Sequence, residues 1–191
     1  MSLPINPFDW VTRHFFVRCI QGMRNVSDWL YLIPAVIAVE CIVLFLTKYP
    51  GANPYFKVHA LQEWYSRFGI VAVMSDVLSI LIGIMFARYI YTYLKLDGFL
   101  SFLVVLLAFQ LFHDILFYVC VIRPLPIGHN QMIDVFKKYA QENGNTILIA
   151  DALMMVSSVV LGSILQSLPA HYVLSSLFLT LYALTYILFT N

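Results

Sequence analysis

Charge is scarce in this chain: Asp, Glu, Lys and Arg together make up 11% of its 191 residues, well under the roughly 25% of a soluble globular domain. A fold with a fully solvated surface is thereby excluded. Net charge is scarce too, at +1, so no basic field exists for nucleic acid, and neither a Gly-rich phosphate loop nor an RNA-reading aromatic motif occurs. The HExxH, GxSxG and nucleotide-loop patterns are absent, which leaves no motif-based assignment to an enzyme class and no catalytic residue to name. Cys19, Cys41 and Cys120 are odd in number and never in CxxC spacing. They read as small apolar packing residues. The first 28 residues hold no apolar core with a cleavage site, so no signal peptide is expected and the first spanning helix would direct insertion.

What the chain has in abundance is apolar sequence, 61% of residues, gathered into runs of about 20, the length that crosses a hydrocarbon core of roughly 30 Å. The expected fold class is all-α: a polytopic transmembrane helix bundle, one helical membrane domain over residues 1–191. Its five spans fall at about 29–47, 68–91, 99–122, 145–166 and 172–189. An odd count puts the two ends on opposite faces, here named A (N-terminal) and B. Two amphipathic helices complete the reading. One lies within residues 1–28, from Trp10 to Asn25, and one over residues 131–142, where Met132, Val135, Phe136 and Tyr139 oppose Asp134, Lys137, Lys138 and Gln141. Both patterns predict helices lying flat in the headgroup region. His59 and Glu63, spaced i,i+4, read as a solvated pair rather than metal ligands.

Against this apolar background the ionisable residues stand out, because each is costly in hydrocarbon and is a functional hypothesis by default. Glu40 sits in the first span, Asp76 in the second, His113 and Asp114 in the third, Asp151 in the fourth. Gly69, Ala72, Asp76, Ser79, Gly83 and Ala87 form a stripe of small residues on the second span, which predicts its contact face and turns Asp76 inward. Gln110, Asp114 and Tyr118 follow at i,i+4,i+8 on the third, and Asp151, Ser158, Gly162 and Gln166 share a face of the fourth. Counted from the nearest loop at 1.5 Å per residue, all four carboxyls lie about 10–14 Å below face B.

No lysine or arginine is expected at that depth. His113, with Gln110, Tyr118, Ser79 and Ser158 in support, supplies the complementary polarity. Four ionised carboxylates together in low dielectric would be prohibitively unstable, so the layer must be partly protonated, shared as acid pairs, or neutralised by a bound cation. Three functions follow. The first is proton- or cation-conducting or coupled transport, with the acids as a relay or ring. The second is a membrane-embedded enzyme acting on a lipid-like substrate through His113–Asp114, by acid–base chemistry or with a carboxylate- and histidine-held Mg²⁺, Mn²⁺, Fe²⁺ or Zn²⁺. The third is a structural or assembly protein whose acids tie helices together. The partners expected are the lipid bilayer and protons, a monovalent cation or a divalent metal, with a homo-oligomer left open and nucleic acid excluded. Lys and Arg divide five to six between faces A and B, which assigns no orientation.

The stretch Gly128-His-Asn-Gln-Met-Ile-Asp134-Val-Phe-Lys-Lys-Tyr139-Ala, with Asp151-Ala-Leu-Met-Met155, resembles uncharacterised multi-span membrane proteins of large algal DNA viruses. It covers less than a quarter of the chain and implies no activity. What it implies is a virion or host-membrane component with a structural role or an effect on host membrane transport.

Overall fold

The computed structural model describes residues 28–49 and 58–190. The helix expected from Trp10 to Asn25, and Cys19 with it, lie outside the described residues. Among the described residues the chain is all helical: α1 Trp29–Lys48, α2 His59–Phe68, α3 Ile70–Tyr93, α4 Phe99–Phe117 with a π-helical turn Tyr118–Ile122, α5 Gln131–Asn143, α6 Thr146–Leu165 and α7 Ala170–Leu188. Five are long and apolar enough to cross a bilayer: α1, α3, α4 with its π turn, α6 and α7. This is a multi-pass membrane protein with its spans close to where the apolar runs predict them. The second span starts two residues later than expected because Gly69, at φ +54°, breaks the helix there. That backbone conformation is natural only to glycine.

The core forms where small residues let helices close on one another. On α3, Ala72, Gly83 and Ala87 are buried. A Cβ on Gly83 would lie 2.8 Å from Met155 Cε and 3.5 Å from Gln110 Oε1, so this glycine is where α3, α4 and α6 converge. Gly162 on α6 plays the same part against Leu32 and Ala35 of α1. α1 packs along both α6 and α7, and these two sequential helices contact α1 far more than each other. Two members of the expected α3 stripe stand apart from it: Ser79 is exposed, and Gly69 meets open space at the joint.

α2 and α5 pack on each other at face B. The amphipathic helix expected over residues 131–142 is present as α5, with Asn130 Oδ1 accepting from the backbone N–H of Met132 and Ile133. Its apolar face, however, meets protein. Val135 is buried in the main core, Phe136 meets the Trp64 ring at a tilt, 4.8 Å between centroids, and Lys138 Nζ reaches Glu63 Oε2 at 2.8 Å. Glu142 Oε2 accepts from the Ala60 N–H at 3.0 Å. Amphipathic periodicity fits a bilayer surface or a second amphipathic helix equally well, and α2 is that second helix.

Face A is tied differently. Arg88 turns in to Asp28 at 3.9 Å, both side chains largely buried, and lies 6.0 Å above the Trp29 ring. A cavity of about 10 Å³ adjoins the pair, bordered by Ser163 and Gln166, room for a single water. Tyr91 is also buried and donates to the Gly98 carbonyl at 3.3 Å. Tyr89 and Tyr93 remain outside as an interfacial belt, their rings stacked at 6.4 Å.

Candidate functional site

The carboxyls of the four spanning helices converge under the α2–α5 cap. Glu40 of α1 is wholly buried, and the Tyr65 hydroxyl of α2 donates to its Oε1 at 2.7 Å. Next along α2, Trp64 donates its indole N–H to Asp76 Oδ2 of α3 at 2.9 Å. Adjacent residues of one short helix thus reach down to two different spans. Glu40 and Asp76 lie within hydrogen-bonding reach of each other, although neither carboxylate can donate, and Glu40 Oε2 has no donor among the described residues. Two carboxylates in contact, Glu40 wholly buried and Asp76 half-buried, hold together only with a proton or a cation between them.

On α4, Gln110 is buried and donates from Nε2 to Asp114 Oδ1 at 2.8 Å. That places the Gln110 amide between Asp114 and the face of α3 that Gly83 leaves open. His113 Nδ1 approaches the same Asp114 oxygen at 3.2 Å, which it bonds in the Nδ1-protonated tautomer. The His113 side chain is 46% exposed and that of Asp114 15%, and the imidazole lies parallel to Phe117 at 6.1 Å. The α-helix then widens into the π turn, marked by the Arg123 N–H bonding to the Tyr118 carbonyl at 2.9 Å. Such turns recur beside functional sites. Asp151 of α6 has Asp114 and Asp76 as its charged neighbours and accepts no hydrogen bond among the described residues.

The structure therefore brings together Glu40, Asp76, Asp114 and Asp151, with Gln110 and His113 on the α4 side. Ser158 is fully buried two turns along α6, its Oγ without a partner among the described residues. Ser79 and Tyr118 are exposed and do not reach the carboxyls. Among the described residues no group of three or more His, Cys, Asp and Glu is disposed to hold a metal ion. Of the cysteines, Cys41 packs inside while Cys120 is exposed on the π turn.

Sequence reasoning missed Trp64 and Tyr65. The signal was available: two aromatics with polar tips, side by side on a helix that precedes an acid-bearing span. Burial and the neighbouring Glu40 push the Tyr65 hydroxyl well above its ordinary pKa, so it remains a donor throughout the physiological range. Glu63 faces water, as expected, and bonds Lys138 at 2.8 Å and Arg67 at 3.2 Å there. Lys138 above all holds its carboxyl below the usual range. No family model, curated protein or solved structure matches the chain.

Proposed function

We propose that this membrane protein takes up and relays protons through the carboxyl layer, as the proton-binding element of a conducting or coupled transport protein. The observation that carries the reading is the Glu40–Asp76 contact, in which the buried Glu40 Oε2 has no donor among the described residues. A proton satisfies that contact in place. A hydrated cation would have to separate the two carboxyls, and among the described residues the surrounding groups form no ligand set for a metal. Asp151 and Asp114 extend the acids toward α4 and α6, which is the arrangement of a relay rather than of an isolated tie.

The test is proton flux into liposomes carrying the purified chain and a pH-sensitive dye. Wild type is expected to move protons faster than protein-free vesicles, with Glu40→Gln and Asp76→Asn, which keep shape but cannot ionise, reduced to the protein-free rate. Equal flux in variants and wild type would sink the proposal. A second reading, that of a structural or assembly protein, draws support from Trp64 and Tyr65, which bond two of the acids from within the chain. It predicts no flux in wild type and a loss of thermal stability in the same variants.

A further inference from the structure

We propose that α2–Gly69–α3 and α5–Gly144–α6 are two copies of one cap–joint–span unit. They are set about an approximate two-fold axis along the bundle, and their caps are the paired leaves of a gate over the carboxyls. Displaced by 75 residues, the two segments correspond at the positions that make the joint and the site: Gly69 with Gly144, Asp76 with Asp151, the small residues Gly83 and Ala87 with Ser158 and Gly162, and Trp64 with Tyr139. The joints are alike in three dimensions. Gly69 has φ 54° and ψ −127°, Gly144 φ 52° and ψ −129°, a region reserved for glycine. At each, the glycine N–H bonds the carbonyl four residues back, Tyr65 and Ala140, at 3.0 Å. Those two carbonyls are themselves equivalent.

Contacts across the unit boundary carry the axis. In a two-fold arrangement a residue near the axis meets its own counterpart, and Glu63 and Lys138, again 75 residues apart, meet at 2.8 Å. Asp76 and Asp151, the equivalent acids, are charged neighbours. Trp64 lies over Asp76, and Tyr139 has Asp151 as a charged neighbour. Parallel repeats about an axis along the membrane normal, with the site between them, are a recurring plan of membrane transporters.

The departures from symmetry are as informative. The counterpart of Tyr65 is Ala140, which has no hydroxyl, and α1 brings Glu40 to Asp76 but nothing comparable to Asp151. Asp76 is the held station and Asp151 the open one. The caps are seated on the spans through Trp64, Tyr65 and Val135, all buried, and through the bonds from Trp64 to Asp76 and from Tyr65 to Glu40. A Cβ at either joint glycine meets nothing within 4 Å, and the Glu63–Lys138 latch that joins the two caps is partly exposed, a kind of pair that contributes little. A leaf that swings on its glycine therefore releases its contacts with the carboxyls.

This deepens the proton reading and rests on it only for what passes the gate. The experiment is hydrogen–deuterium exchange of the full chain in detergent micelles, for wild type, Glu63→Lys, Lys138→Glu and the double swap. Each single variant puts like charges at the latch. It is expected to raise exchange about fivefold, the factor that accompanies loss of ~1 kcal/mol, in α2 and α5 together, with α1 and α6 unchanged. The swap should restore both. Exchange raised in one cap alone, or in neither, overturns the gate. Should a repulsive variant not fold, Glu63→Gln with Lys138→Gln removes the latch without repulsion, and the same joint rise is required. A joint rise without altered proton flux retains the gate and removes the proton reading, whereas flux lost in Asp76→Asn with exchange confined to one cap does the reverse.

Discussion

Tyr65 decides the state of Glu40. Its hydroxyl is the one donor to a carboxyl with no exposed surface, and leaving a buried acceptor unmet costs about 1–3 kcal/mol, more when it is charged. Tyr65→Phe should therefore lower stability by that amount in a thermal unfolding series in detergent. Tyr182→Phe is the control: its hydroxyl pairs with Tyr186 at 3.0 Å on the exposed surface, and its loss should stay within about 0.5 kcal/mol. Equal losses would mean that the Tyr65 bond is not what holds Glu40. The acids themselves were legible from sequence because an ionisable group in an apolar run has nowhere to hide. Tyr118 was misplaced for a geometric reason: eight residues from Gln110 advance a helix by about 80° past two full turns, so equal spacing drifts off the face. The donors were not legible, since a depth count along spans says nothing of side chains that arrive from a connecting helix.

Among the elements, α3 and α6 show how tightly glycine sets helix approach. Gly83→Ala puts a methyl 2.8 Å from Met155 Cε; that flexible side chain must move, and overpacking of this kind costs about 1–3 kcal/mol. Gly162→Ala meets Leu32 and Ala35 at 3.5–3.8 Å, ordinary contact, and should be neutral or slightly stabilising through helix propensity. Thermal denaturation of the two variants checks the contrast, and an equal effect would mean that α3 and α6 are not held as closely as described. The small-residue stripes revealed these contact faces in the sequence. They did not reveal which helix fills each, because the same stripe suits any close neighbour. Of the two cap helices α5 was legible as amphipathic, though not as the partner of α2, since periodicity fixes a face but not what covers it.

For the molecule as a whole, five spans put the α3–α4 turn on face A and the α4–α5 loop on face B. Asp97 and His129 are exposed in these two connections. With the native cysteines replaced, Asp97→Cys and His129→Cys in sealed vesicles should react with a membrane-impermeant thiol reagent from opposite sides. Labelling of both from one side would break the five-span arrangement. That architecture was legible because bilayer thickness fixes how long an apolar run must be. Orientation was not, with basic residues nearly balanced between the faces.

The position of α1 carries a consequence for how the protein is made. Among the described spans α1 leaves the ribosome ahead of the others, yet its main neighbours are α6 and α7, which leave after the rest. Until they arrive, Leu32 and Ala35 have only lipid to face, and Glu40 awaits Tyr65 and Asp76 from segments synthesised after it. Local hairpins cannot close this bundle in passing. The later spans return to cover α1, so a nascent chain halted before Ala170 would carry an acid in the bilayer within an unfinished seat.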